Sequence, residues 1–108
     1  MNVAAVLLRN RKYRHGLFFA HLGIEKILKA HVTKVTENIP PKTHNLFRLI
    51  EIAGLKLSDD YLKFLRYFTI FQVEGRYPEH KRVVVDGQRA KQDIKKAKEI
   101  YKWIKAQL

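Results

Sequence analysis

The sequence contains no cysteine, and glycine, proline and acidic residues are scarce. Without cysteine the chain has no disulfide scaffold, no thiolate zinc site and no thiol nucleophile, and an ordinary reducing cytosol suits it. Five glycines and three prolines are too few for the closely spaced turns of a small sandwich or barrel. This shortage favours long helices.

Long apolar runs are also missing. The longest stretch without Lys, Arg, Asp or Glu is residues 15–24, well short of the roughly 20 apolar residues that span a bilayer. The short apolar run that ends at Leu8 follows no basic residue and precedes no small-residue cleavage site, so no signal peptide is predicted. We therefore expect a soluble, cytoplasmic protein without a membrane partner.

The length of the chain limits the number of domains, and its charge limits the kinds of partner. A chain of 108 residues with 46% hydrophobic residues matches one globular domain, residues 1–108. Lys and Arg number 22 against 10 Asp and Glu, a formal net charge of +12. Such a surface attracts polyanions, a class that includes nucleic acid, nucleotides, acidic proteins and anionic membranes. With no membrane partner expected, the first three are the candidate partners.

Apolar periodicity predicts four to five helices in an all-α, up-and-down antiparallel bundle. Thr43 and Ser58 stand where N-caps are expected, and Gly54 stands at a C-terminal stop. Residues 75–88 carry Pro78 and an Asp86-Gly87 turn signal and are predicted to be irregular. The predicted helices cover residues 2–10, 13–36, a short segment between Thr43 and Gly54, a segment that follows Ser58 and includes residues 61–73, and residues 88–108.

The fourth of these segments predicts a homodimer. Nine of the thirteen residues 61–73 are Tyr, Leu, Phe, Ile or Val, and the polar ones recur at every third position. At 100° per residue that polar line winds around the helix and leaves no face fully solvated. Such a helix needs apolar neighbours on two sides, so we expect its own core on one side and a second copy on the other.

The last predicted helix carries a line of lysines beside its apolar seam. Lysines spaced by four, three, four and three residues span fourteen residues, roughly 21 Å at 1.5 Å per residue, a span that matches several phosphates of one strand. The alternative is an ordinary solvated helix face. The predicted seam consists of Ala90, Ile94, Ala97, Tyr101, Ile104 and Leu108, and the lysines are Lys91, Lys95, Lys98, Lys102 and Lys105.

Six short segments, taken together and in this order, resemble the HEPN domain family. They lie at residues 4–8 (AAVLL), 12–15 (KYRH), 18–21 (FFAH), 24–30 (IEKILKA), 41–46 (PKTHNL) and 75–79 (GRYPE). The resemblance implies a dimeric helical bundle that binds nucleotide or RNA and acts with a minimal nucleotidyltransferase partner, in the manner of a toxin–antitoxin pair. It also implies two alternatives: a metal-independent endoribonuclease toxin, or a non-catalytic dimeric scaffold for the partner enzyme.

The candidate catalytic residues are Arg76 and His80. The family's ribonuclease motif is an arginine and a histidine with four to six residues between them, whereas Arg76 and His80 have three. The two side-chain types suit the chemistry, because a base must take the 2′-hydroxyl proton and a cation must offset charge on the phosphate. The alternative is that Arg76 pairs with Glu74, Glu79 or a helix C-terminus and His80 is a solvated loop residue.

The candidate nucleotide- or RNA-binding residues are Lys26, Lys29, Arg76, Tyr77, Lys91, Lys95, Lys98 and Lys102, and a nucleotide such as ATP is a candidate ligand. Glu25 and Lys29 alternatively form an i, i+4 pair. His21 and Glu25 share a helical face, but no third ligand follows at a useful spacing, so no metal site is predicted. His44 is expected to pack against or cap the third helix.

Overall fold

A computed structural model describes residues 13–71 and 87–108 of the chain. Over these two ranges the structure is all-helical and contains no strand. The predicted helix at residues 2–10 and most of the irregular segment that begins at residue 75 lie outside the described ranges. The elements are α1 (Tyr13–Thr36), α2 (Leu46–Ala53), α3 (Asp59–Phe68), a 3-10 turn (Thr69–Phe71) and α4 (Gly87–Ala106).

The ends of α2 and α3 are set by side chains of the capping types. Asn45, and not Thr43, is the N-cap of α2, because its side-chain oxygen accepts hydrogen bonds from the amides of Phe47 and Arg48. The Thr43 hydroxyl instead accepts from the Asn45 amide. Gly54 closes α2 in the left-handed region at φ 70°, and the Ser58 hydroxyl caps α3 through the Tyr61 amide. The predictions for Gly54 and Ser58 are confirmed, and the cap prediction for Thr43 is wrong by two residues.

The two long helices, α1 and α4, run parallel to each other. Gly87, at the start of α4, lies against the Tyr13 ring at the start of α1, and His31 near the end of α1 bonds the Ile104 carbonyl near the end of α4 at 2.7 Å. In an up-and-down bundle alternate long helices are parallel to each other, so this pair is consistent with the predicted topology. At about 1.5 Å per residue, the eight-residue α2 is too short to be a full-length member of the bundle, so only α3 returns the chain between α1 and α4.

Helix α3 runs antiparallel to α4. Tyr61 at the start of α3 packs edge-on against Trp103 near the end of α4, with ring centroids 6.3 Å apart. Tyr67, one residue before the end of α3, donates a 2.5 Å hydrogen bond to Asp93 near the start of α4. The α-helical geometry ends at Phe68 and tightens into the 3-10 turn, so residues 61–73 are not one continuous α-helix, and Val73 lies outside the described ranges.

The core lies where α1 packs against α2 and α4. The predicted apolar stripes of α1 and α2 are confirmed: nearly all of their members are buried, and Tyr13 is half-buried. In α4 the seam includes Ile100, which the sequence analysis missed, while Tyr101 is half-buried and Leu108 is exposed beyond the helix end. The fully covered large side chains are Leu17, Ile24, Leu28, Val32, Leu46, Leu49, Leu65, Phe68, Ile100 and Ile104.

The apolar side chains of α3 and of the 3-10 turn find most of their neighbours within this one chain. Leu65, Phe68 and Phe71 are buried. The remaining large ones are half-buried and pack against the core: Tyr61, Leu62, Phe64, Tyr67 and Ile70. A second copy of the chain would therefore cover only the outer parts of these five side chains.

Candidate functional site

The lysine face of α4 is on the surface. We use this name for Lys91, Lys95, Lys98, Lys102 and Lys105. Four of the five are exposed and Lys98 is half-buried, because they lie beside the buried seam of α4, about 100° around the helix from it. Among the residues that the structure describes, none of the five has a carboxylate within ion-pair distance.

Lys96, on the same helix, shows the contrasting arrangement. Its ammonium group pairs with Asp60 of α3 and lies 3.7 Å from a carboxylate oxygen of Glu99. It also sits 5.2 Å from the centroid of the Tyr61 ring. Lys96 therefore holds α3 against α4, whereas the lysine face keeps its positive charge available to an external anion.

The candidate lysines of α1 differ from each other. Lys26 is exposed. Lys29 is half-buried, and its Nζ lies 3.2 Å from Oε2 of Glu25, the i, i+4 pair that the sequence allowed. Part of the Lys29 charge is thus already neutralised within the chain, which makes Lys26 the more available of the two for a phosphate.

The loop residues Arg76, Tyr77 and His80 lie outside the described ranges, and their catalytic and binding roles stay predictions. Their segment joins Phe71, at the end of the 3-10 turn, to Gly87, at the start of α4.

A buried carboxylate that the sequence analysis missed lies near the start of α4. Asp93 is 4% exposed, accepts the hydrogen bond from Tyr67 and lies 3.1 Å from Nε of Arg89. Burial, together with the hydrogen bond to Asp93, raises the pKa of Tyr67 above its ordinary value. The Arg89 guanidinium also stacks over the Tyr67 ring at 4.8 Å, so this cluster fastens α3 to α4.

A second buried carboxylate, Glu25 of α1, contacts a lysine and a histidine side chain. Its Oε2 accepts the hydrogen bond from Lys29, and its Oε1 lies 2.9 Å from Nδ1 of His44. Burial by itself would raise the pKa of Glu25, but the hydrogen bonds with His44 and Lys29 outweigh it and hold that pKa below its ordinary value. Glu25 is therefore ionised at neutral pH.

His44 does not cap α2, one of the two roles that the sequence analysis allowed. Asn45 caps α2 in its place, and the His44 side chain, 73% exposed, reaches back to α1. The sequence separation of 19 residues explains why no spacing rule found the pair. Among the residues that the structure describes, no three His, Cys, Asp or Glu side chains are grouped as a metal site would require.

His21 lies one helical turn before Glu25 and is buried, at 2% exposure. The centroid of its ring lies 5.9 Å from that of the Phe68 ring. Its Nε2 has no hydrogen-bond partner within the described ranges. Burial lowers the pKa of His21 to about 4, although the charge of Glu25 acts in the opposite direction. His21 is therefore a neutral core residue at pH 7.

A surface groove of about 420 Å³ lies beside His44 and is lined by His44, Asn45, Phe47 and Thr69. The exposed Arg66 of α3 places its guanidinium 5.6 Å from the centroid of the Phe47 ring. The groove therefore brings together the imidazole of His44, the ring of Phe47 and the amide of Asn45. The guanidinium of Arg66 lies beside them.

No helix within residues 13–71 and 87–108 is both long and apolar enough to cross a membrane. In comparisons with known proteins, a family model described as the HEPN domain matches residues 1–107. This match confirms the resemblance seen in the short segments of the sequence. No curated protein and no solved structure matches the chain.

Proposed function

The chain belongs to the HEPN domain family, and on that premise we propose that it binds RNA through the lysine face of α4. Membership of this family supports a nucleotide- or RNA-related role. The choice of RNA rests on the shape of the charged surface, which is a line along a helix and not a closed pocket. A line of cations suits a strand of phosphates better than it suits a single nucleotide.

The observation that carries the proposal is the row of lysines without intramolecular ion pairs in the described structure. Five ammonium groups extend along roughly 21 Å of helix on a chain with a net charge of +12. Binding to a phosphate chain releases the counterions condensed on it, which is favourable at low salt and weakens as salt rises. Lysines already paired within the fold, such as Lys96, would contribute less to the free energy of RNA binding.

A triple substitution of the lysine face tests this proposal. Lys91, Lys95 and Lys102, all exposed, are changed to Gln, and binding of a fluorescent single-stranded RNA is measured by anisotropy at several salt concentrations. Loss of three phosphate contacts is expected to raise the Kd about 100-fold near 0.1 M salt and to reduce the slope of log K against log salt by about 2.

The matched control changes the same amount of charge elsewhere. Lys42, Lys56 and Lys63 are also exposed and lie outside α4, so their triple change to Gln is expected to alter the Kd only a few-fold. Equal losses in the two variants would mean that only net charge matters and would contradict a site on α4. Absence of RNA binding by the unaltered protein would contradict the proposed function as a whole.

A homodimer is part of the proposal. Support comes from the five half-buried apolar side chains of α3 and the 3-10 turn, since a second copy would remove their remaining apolar area from water. Static light scattering of the purified protein at micromolar concentration is expected to give twice the chain mass of 12.8 kDa. A measured mass of one chain under these conditions would contradict the proposed dimer.

The family resemblance supports three finer parts of the proposal. These are a minimal nucleotidyltransferase as partner, a toxin–antitoxin role for the pair, and a nucleotide such as ATP as ligand. Stabilisation of the folded chain by ATP, seen as a higher melting temperature, distinguishes a nucleotide binder from a pure scaffold. Cleavage of RNA through Arg76 and His80 stays the alternative function.

A further inference from the structure

His44 is held in the manner of a general base. Its Nδ1 lies 2.9 Å from Oε1 of Glu25, and Lys29 binds the other oxygen of the same carboxylate at 3.2 Å. The Glu25 side chain is 6% exposed and the His44 side chain is 73% exposed. A buried, doubly bonded carboxylate therefore fixes one edge of an imidazole whose remaining surface lies in solvent.

The protonation states follow from this geometry. A carboxylate can only accept hydrogen bonds, and the pKa of Glu25 lies below its ordinary value, so the proton between the two residues belongs to Nδ1 of His44. Nε2 is then the ring nitrogen that does not contact Glu25. Orientation of a histidine by a carboxylate in this way is the arrangement that prepares an imidazole to take a proton from a substrate.

The surroundings of His44 suit a ribose-phosphate segment. The groove that it lines, about 420 Å³, also contains the Phe47 ring and the Thr69 side chain. An aromatic ring packs favourably against a ribose or a base. The guanidinium of Arg66, above the Phe47 ring, supplies positive charge beside the groove, where charge on a phosphate would develop during reaction.

A purely structural role explains the pair less well. The loop between α1 and α2 is already fastened by the Asn45 cap and by Leu46, Leu49 and Ile50, which are buried in the core. The buried Glu25 carboxylate also has Lys29 as a partner, so compensation of its burial does not rest on His44 alone.

We propose that His44, positioned by Glu25, is a proton-transfer residue for cleavage of RNA, at a site separate from the Arg76 and His80 loop positions. This inference rests on the proposed RNA binding. Nε2 of His44 accepts the proton of a ribose 2′-hydroxyl while the 2′-oxygen bonds to the adjacent phosphorus. The bond from phosphorus to the 5′-oxygen breaks, and that oxygen leaves with the bonding electrons and takes the proton from Nε2. The products are a 2′,3′-cyclic phosphate and a 5′-hydroxyl end.

The test is cleavage of a labelled RNA by the purified full-length protein in EDTA, with the ends of the products identified. His44→Gln is expected to lower the cleavage rate at least about 100-fold, a general acid–base contribution, while RNA affinity and melting temperature stay near those of the unaltered protein. His15→Gln, a change of another exposed histidine, serves as the control and is expected to retain cleavage.

Glu25→Gln tests the positioning role. Because an amide does not stabilise the imidazolium that forms during reaction, this variant is expected to cleave more slowly and to shift its pH–rate profile, with RNA affinity unchanged. A loss of rate with an unshifted profile and a lowered melting temperature would show that Glu25 acts only in folding, and would overturn its part of the proposal.

Two results would overturn the role of His44. One is full cleavage by His44→Gln, especially if an Arg76→Ala, His80→Ala variant is inactive, because the reaction would then belong to the loop. The other is RNA binding without any cleavage by the unaltered protein, which would leave the proposed function standing. Failure to bind RNA is detected separately by anisotropy and counts against the proposed function itself.

Discussion

Phe68→Ala is expected to lower the free energy of unfolding by about 3–5 kcal/mol, the range for removal of a fully buried aromatic side chain. Phe68 has no exposed surface. Its ring stacks on Phe64 with centroids 4.9 Å apart and meets Phe71 edge-on at 5.5 Å. The side chain thus joins α3 to the 3-10 turn and to His21 of α1, and its loss leaves a cavity among three elements. Urea denaturation followed by circular dichroism measures the change.

The control for this prediction is Phe64→Ala. Phe64 is on the same helix and is half-buried, so its removal takes less apolar area out of the core, and a loss well below that of Phe68→Ala is expected. Equal losses for the two variants, or a loss below about 1 kcal/mol for Phe68→Ala, would contradict the packing described for α3.

Acidification from pH 7 to pH 4 is expected to lower the free energy of unfolding by about 3 kcal/mol through His21. The pKa of His21 falls from its ordinary 6.5 to about 4 in the folded chain. Between these values the unfolded chain binds the proton and the folded chain does not, so stability decreases as pH falls through this window and levels off below about 4. Glu25, whose pKa is also lowered, adds a loss of the same sign at the acid end of the window.

His21→Leu separates this effect from general acid denaturation. Leucine keeps an apolar side chain in the site and removes the titration, so the difference in unfolding free energy between pH 7 and pH 4 is expected to shrink by about 3 kcal/mol. His15→Gln, which changes an exposed histidine, is expected to retain the full difference. An unchanged pH dependence in His21→Leu would show that His21 is not the group responsible.

The features that the sequence predicted correctly depend on neighbours within one or two helical turns. The apolar stripe of α1, with Leu17, Ile24 and Leu28, follows from a period of 3.6 residues. Ser58 and Gly54 follow from the backbone groups left without partners at helix ends. Even the Thr43 prediction failed by only two residues, because Thr43 and Asn45 both have capping side chains and only the local backbone decides between them.

The features that the sequence did not predict depend on residues far apart in the chain. The Glu25 and His44 pair spans 19 residues, and the Tyr67 and Asp93 bond spans 26. Asp93 has an acidic side chain in a helix whose one other carboxylate, that of Glu99, lies on the surface, and only the packing of α3 on α4 buries it. Periodicity assigns residues to faces but does not determine which helices meet.

The candidate site residues also include some that periodicity places and some that it does not. Periodicity placed the lysine face on α4 correctly, because lysines at these spacings fall beside the buried seam of one helix. The Arg76, Tyr77 and His80 predictions come from a resemblance in a loop, which carries no periodicity and lies outside the described ranges. The contact of His44 with Glu25 was not predicted, because Glu25 belongs to a different helix.

The most direct measurement of the central claim is to map crosslinks between bound RNA and the chain by mass spectrometry. Binding through the lysine face predicts crosslinks at Lys91, Lys95 and Lys102, which disappear when excess unlabelled RNA competes. Crosslinks confined to Lys42, Lys56 and Lys63, with none on α4, would contradict it.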